Sequence, residues 1–112
     1  MKEFIFNKKD YKSYKDIYED LSIKLGRKEG LEDYYDISNY DYDPHCLYED
    51  LKYGFDRTAE NKFVFLNFDR DKIALQKNYD DYEYNMVFRI FEAFSTEYPN
   101  NQLEFRMEDE KK

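Results

Sequence analysis

The chain has 112 residues, the size of one domain, and carries a net charge of −8. Its aromatic content is 21%, and its single cysteine, Cys46, excludes an internal disulfide and fits a reducing cytoplasm. The longest apolar run, 63–66, is too short to span a membrane. We therefore expect a cytoplasmic domain over residues 1–107, with large rings in its core, and a charged C-terminal tail at 108–112.

The first part of the chain predicts a strand and then a helix. The apolar run at 4–6 is typical of a short buried strand. Ser13 followed by Asp16 forms a pattern like a capping box, apolar residues follow at helical spacing, and Gly26 ends the helix. Residues 27–42 show no regular pattern.

A second helix is predicted to begin at Asp43-Pro44. The acid can cap the first turn, and proline suits the first helical position because it lacks an N–H that would otherwise stay unpaired. Gly54 ends this helix. Its predicted inner face consists of Leu47, Leu51 and Tyr48.

The second half of the chain predicts strand, helix, helix and strand. The apolar run within 62–68 is typical of a central parallel strand that is covered on both faces. Asp69 can cap a short helix at 71–76, and a longer helix is predicted from 81 to 98. Residues 103–107 alternate between apolar and charged, as in a half-exposed edge strand.

One stripe of the long helix is predicted to face the core. Tyr84 and Phe88 lie off that stripe, and we expect them to be exposed. The stripe itself consists of Val87, Ile90, Phe91, Phe94 and Tyr98.

The predicted order is β-α-α-β-α-α-β. Strands that are separated by helices normally run parallel through right-handed crossovers. The sequence therefore predicts an α/β fold in which a three-stranded parallel sheet packs with about four helices.

The negative charge is concentrated in residues 29–50, which we call the acidic segment. It holds eight acids, five tyrosines and no Lys or Arg, whereas the other 90 residues hold 18 acids and 18 bases. Such a surface complements a basic protein and disfavours nucleic acid, whose binding relies on Lys and Arg. A solvated acidic loop is the simpler interpretation, but five large rings favour a binding surface because Tyr is enriched where proteins bind.

The order of elements and several short motifs resemble the barstar family of ribonuclease inhibitors over about residues 2–107. Residues 33–36 (Asp-Tyr-Tyr-Asp) are similar to the family's Glu-Tyr-Tyr-Gly turn. Residues 46–51 and then Gly54-Phe55 are similar to its second helix and the Gly-Trp that follows. The resemblance implies an immunity protein without a cofactor, which binds a cognate basic ribonuclease toxin in a 1:1 complex.

The resemblance also implies roles for individual residues. Tyr34 matches the contacting tyrosine of the family, and Glu49 matches the aspartate that occupies the catalytic phosphate position. Tyr48 stands where the family has tryptophan, and Gly54 with Phe55 resembles the pair at the rim. Secondary candidates for partner contact are Tyr35, Asp36, Asp50 and Glu92.

The sequence departs from the family pattern at several positions. His45 stands where the family has an acid, so that Asp43 or Asp41 takes over that contact. The stretch before Asp43 is longer and more acidic than in the family, which implies a different target. The family's glutamate on the last helix falls near Glu92 or Ala93.

Three other functions remain open from the residues alone. The same surface would serve a nucleic-acid mimic that binds another basic protein. A calcium site is suggested by the pattern Asn39, Asp41, Asp43 and Asp50, although Pro44 stands where an EF-hand loop needs glycine. An enzyme is disfavoured because His45 is the only histidine and its neighbour Cys46 would point about 100° away on a helix.

Overall fold

A computed structural model describes residues 1–24, 47–48, 51–52 and 58–108. Three strands form one parallel sheet in the order β1-β2-β3: β1 (Lys2–Asn7), β2 (Asn61–Leu66) and β3 (Asn101–Arg106). The helices of the described part are α1 (Tyr14–Lys24), α2 (Arg70–Ala74) and α3 (Tyr79–Glu97), and residues 47–48 and 51–52 are also helical. The predicted three-stranded parallel sheet packed with helices is confirmed.

Side-chain caps set where the helices begin. α1 starts directly after Ser13, as predicted. Asp69 accepts a hydrogen bond from a backbone N–H in the first turn of α2 at 3.2 Å, so the predicted cap is confirmed. Asn78 accepts one from the backbone N–H of Asp81 at 2.8 Å. α3 therefore begins at Tyr79, earlier than the sequence pattern predicted.

Strand β2 ends at Leu66 instead of at the predicted position 68. The cause is Asn67, whose φ of 66° is left-handed, a conformation that asparagine tolerates better than most residues. The Asn67 side-chain amide donates hydrogen bonds to Asn7 Oδ1 at 2.9 Å and to Glu108 Oε1 at 2.6 Å. Glu108, predicted to start the tail, is thus tied to the end of the sheet, and residues 109–112 lie outside the described part.

The core consists mainly of aromatic rings between the sheet and the helices. Phe63 and Phe65 of the central strand are fully buried and pack against Phe91 of α3, with ring centroids 4.9 and 5.2 Å apart. From β1, Phe6 stacks on Phe65 at 5.3 Å. The predicted use of large rings as core is confirmed, and it fixes the positions of α1 and α3 on one face of the sheet.

Two residues of α3 contradict the predicted helix stripe. Tyr84 and Phe88 were expected to be exposed, but their exposed fractions are 3% and 0%. Phe68, just beyond β2, contacts both rings edge-on at 5.2 and 5.3 Å, and Phe105 of β3 contacts Phe88 at 4.9 Å. The buried face of α3 is therefore wider than one stripe, because the segment after β2 covers a second side of the helix.

A buried pair of asparagines aligns the amino ends of β2 and β3. Asn61 and Asn101 are register partners, and the Asn61 side-chain amide donates to Asn101 Oδ1 at 2.9 Å. The Asn101 amide in turn donates to the backbone carbonyl of Tyr98 at 3.1 Å. Because buried amides are costly without partners, this chain of bonds couples the end of α3 to the register of the sheet.

The other face of the sheet carries a cluster of charged side chains from β2 and β3. Val64 is fully buried there, between Ile5 and Glu104 of the neighbouring strands. The Glu104 carboxylate lies 2.5 Å from Arg106 Nε and 2.6 Å from Lys62 Nζ. Hydrogen bonds from Arg106 and then Lys62 lower the pKa of Glu104 to about 2.

We expect Glu104→Gln to reduce the loss of folding stability that accompanies a fall to acid pH. A carboxylate whose folded pKa is lowered stabilises the fold above its unfolded pKa and loses that contribution as the pH falls through the folded value. The window therefore runs from about pH 4.5 down to about pH 2. Melting temperatures measured across this window should fall less steeply for the variant than for the unaltered chain. About 1 M NaCl should shrink the difference by screening, and equal slopes at low salt would contradict the assignment.

Candidate functional site

The acidic segment, 29–50, is the candidate site that the sequence singled out. Within it the structure describes Leu47 and Tyr48, and Leu51 and Lys52 follow. Apart from Glu92 on α3, the other predicted contact residues lie outside the described part: Tyr34, Tyr35, Asp36, Asp41, Asp43, His45, Glu49, Asp50, Gly54 and Phe55. The described residues of the site are thus mainly those that attach it to the fold.

Leu47 and Leu51 anchor the candidate site in the core. They stand four positions apart in the sequence, and both are buried within the same cluster as the sheet and α3. The predicted inner face of the second helix is confirmed for these two residues. Tyr48 consequently stands between two residues that are buried in the core.

Tyr48 and Lys52 share one partner at the end of α3. The Tyr48 hydroxyl donates a hydrogen bond to Glu97 Oε2, and Lys52 Nζ lies 3.7 Å from Glu97 Oε1. The hydrogen bond from Tyr48 is the main cause that lowers the pKa of Glu97, with further contributions from Tyr98 and Lys52. The Tyr48 ring is half-buried against the core, so this predicted contact residue is held in one position.

Glu92 lies on a different side of α3 from Tyr48. Its carboxylate forms an ion pair with Arg70, whose guanidinium group stacks 4.4 Å from the ring centre of Phe105. Glu92 and Glu97 are five positions apart, which turns a helix by about 140°. The structure thus brings Tyr48 together with Glu97, and it places the secondary candidate Glu92 beside α2.

Glu97 is a residue that the sequence analysis missed. An acid in the last turn of a helix is unfavourable with the helix dipole unless it has a partner. Glu97 is the last residue of α3, and no basic residue stands in that turn. This mismatch was visible in the sequence and could have indicated that a donor from elsewhere in the chain approaches the end of the helix.

Metal binding and membrane crossing would each require a recognisable feature among the described residues. Among them, no three His, Cys, Asp or Glu side chains are grouped so that they could hold a metal ion. None of the described helices combines the length and apolar character that crossing a membrane requires. The residues of the calcium alternative, 39–50, lie almost entirely outside the described part.

The fold and the anchoring residues were compared with known proteins. No protein-family model, curated protein or solved structure matches this chain. Its function is therefore inferred from the charge, the rings and the geometry of its own residues.

Proposed function

We propose that this chain is a barstar-like immunity protein, which acts in the cytoplasm and blocks the active site of a cognate basic ribonuclease toxin. The observation that carries the proposal is the acidic segment. It concentrates the entire net charge of −8 and five tyrosines in 22 residues without one Lys or Arg. Leu47, within this segment, and Leu51, just after it, are buried in the core.

The chemistry of a ribonuclease explains why such a surface would inhibit it. A site that binds a phosphodiester and stabilises its developing negative charge is cationic. Carboxylates can occupy the phosphate positions and form charge-assisted hydrogen bonds, which are about twice as strong as neutral ones. Tyrosine rings can fill the places where bases stack, with little loss of side-chain entropy. We assign the phosphate position to Glu49 and ring contacts to Tyr34 and Tyr48.

The burial of Leu47 and Leu51 supports a prearranged binding surface. A contact group on an anchored helix loses less freedom on association than one on a loose chain. The hydrogen bond from Tyr48 to Glu97 restricts the same turn further. In this proposal Asp41 and Asp43 replace the acid that the family has at the position of His45, and Gly54 with Phe55 lies at the rim.

The sheet topology supports a binding protein over an enzyme with a small-molecule substrate. Ligand clefts of open α/β sheets form where the strand order reverses, because neighbouring crossovers there leave on opposite faces. The order β1-β2-β3 of this sheet follows the chain without a reversal. The order of strands and helices along the chain is also the one that the barstar resemblance implies.

Co-expression with a toxic ribonuclease tests the proposal directly. The first candidates are basic, secreted ribonuclease domains encoded beside this gene. We expect the chain to restore growth of the host and to inhibit purified enzyme at a ratio of one to one. Tight binding to basic proteins without inhibition of any ribonuclease would instead favour the nucleic-acid mimic. Failure to bind any basic protein would refute both functions.

The association rate is expected to depend strongly on salt. Clustered acids that face a cationic cleft steer the encounter, and steering is lost when salt screens the charges. Between about 0.05 and 0.5 M NaCl we expect the rate constant to fall about tenfold or more, with a smaller change in the dissociation rate. Stopped-flow measurement with the cognate nuclease checks this. An association rate that is insensitive to salt would contradict electrostatic steering.

A further inference from the structure

A surface depression of about 300 Å³ lies away from the acidic segment, where the chain after β1 meets the start of α3. Its walls come from the 3-10 turn Lys8–Asp10 and the residues after it, and from the cap and first turns of α3. Neither the fold nor the proposed function accounts for it. The residues that line it are Lys8, Tyr11, Lys12, Asn78, Tyr79, Asp80, Asp81 and Tyr84.

The inner wall of this depression carries a buried hydroxyl without a hydrogen-bond partner. Tyr84 is only 3% exposed, and its ring packs edge-on against Phe68 at 5.2 Å. Across the described residues, its hydroxyl forms no hydrogen bond. By contrast, the hydroxyls of Tyr11 and Tyr18 donate to Asp20 at 2.5 Å and to Glu83 at 3.4 Å. Buried polar groups are almost always paired, so we expect a molecule bound in the depression to form a hydrogen bond with this hydroxyl.

Negative charges act on this hydroxyl. The pKa of Tyr84 is raised to about 12, first by burial and then by the charges of Asp80, Asp16 and Asp81. Lys8 and Lys12 also line the depression, but within the described part neither lies within ion-pair distance of a carboxylate. Asp80 and Asp81 thus form no ion pair with these lysines, and a positively charged ligand could take that place.

The remaining walls are suited to a flat cation. Tyr79 is 61% exposed, stacks on Tyr82 at 6.0 Å and meets Tyr14 edge-on at 5.2 Å. Aromatic faces attract guanidinium groups, which also offer five N–H donors in one plane. Such a group could donate to the Tyr84 hydroxyl and to the carboxylate of Asp80 or Asp81 at once. An ammonium group has no plane with which to stack and only three donors at one point.

We propose that this depression is a binding site for a guanidinium group, that is, for free arginine or for an arginine side chain of a protein partner. The site uses none of the residues of the acidic segment. The test of this site and the test of the proposed ribonuclease inhibition therefore have independent outcomes.

Titration of the full chain, followed by amide NMR spectra, tests this site. The probes are L-arginine, acetyl-arginine amide as a mimic of an arginine within a chain, acetyl-lysine amide, and acetyl-citrulline amide as the uncharged match in shape. We expect saturable shifts at Asp80, Asp81 and Tyr84 with the arginine probes, and none with citrulline. Stronger binding of the blocked arginine than of L-arginine assigns the site to a protein partner, and the reverse assigns it to the free amino acid. Equal response to lysine would overturn the guanidinium assignment, and the absence of saturation would leave only a water-filled depression and overturn the proposal.

Two variants and one control make the test specific. Tyr84→Phe keeps the ring and removes the hydroxyl, so binding should weaken about tenfold or more. Its melting temperature should be unchanged or higher, because the hydroxyl forms no hydrogen bond with any of the described residues. Asp80→Asn should also weaken binding, since it removes the charge but keeps an oxygen for the backbone N–H of Tyr14, now 3.3 Å away. Asp71→Asn, on α2, should leave binding unchanged. Unaltered binding by Tyr84→Phe, or a marked loss of its stability, would overturn the proposal.

Discussion

Replacing Phe65 by alanine is expected to destabilise the fold by about 3–5 kcal/mol, which would leave little of the stability of a domain of this size. The residue is fully buried in the central strand, and its removal would open a cavity between the sheet and α3. Urea unfolding followed by circular dichroism measures the loss. The rings that would lose this neighbour are Phe6, Phe68, Phe88, Phe91 and Phe105, with centroids 5.2 to 5.9 Å from that of Phe65.

An exposed apolar residue provides the control for this substitution. Leu75 follows α2 and is 62% exposed, so Leu75→Ala should change the free energy of unfolding by no more than about 0.5 kcal/mol. If Phe65→Ala cost less than about 1.5 kcal/mol, the surrounding rings would have to collapse into the space. The aromatic cluster would then be less rigidly packed than the ring distances indicate.

Reversing the charge at Glu49 is expected to abolish protection against the cognate nuclease. The lysine that replaces the carboxylate would face the cationic residues of the active site. Breaking one buried charge pair costs about 2–5 kcal/mol of binding free energy or more. Co-expression growth and inhibition of purified enzyme measure the effect. Glu19→Lys makes the same charge change on the exposed side of α1 and should preserve protection.

Neutral variants separate a binding role of the acids from a structural one. Glu49→Gln, Asp43→Asn and Asp50→Asn should weaken the complex, whereas the free protein should be as stable as before or more stable. The reason is that eight negative charges in the acidic segment repel one another in the absence of a partner. Thermal melts of the free variants check this. A large drop in melting temperature would show that these acids hold the fold together and would remove the basis of the proposed function.

The architecture was readable from the sequence because its signals are local. The apolar runs of β1 and β2, the cap at Asp69 and the alternation in β3 each depend on a few adjacent residues, although Ile5 of the run predicted to be buried in β1 is 38% exposed. What the sequence missed depends on contacts between distant segments. Tyr84 and Phe88 are buried because Phe68, beyond another strand, covers their side of α3. No helix periodicity contains that information.

The candidate site was predictable in its charge but not in its attachments. The concentration of acids and tyrosines is a property of composition, and the burial of Leu47 and Leu51 follows from their spacing. The link from Tyr48 to Glu97 joins residues 49 positions apart. The unpartnered hydroxyl of Tyr84 likewise arises only from the way α3 meets the chain after β1. Pairings of this kind require the folded geometry.

The position of β2 at the centre of the sheet determines when the sheet can form during synthesis. β1 cannot pair until residues 61–66 have left the ribosome, because its hydrogen-bonding neighbour is β2 and not β3. Leu47 and Leu51 join a cluster that includes α3, so their anchorage also awaits the C-terminal half. A nascent chain halted before α3 would thus lack the contacts that bury these two leucines. Their anchorage is completed only after residues 79–97 have been made.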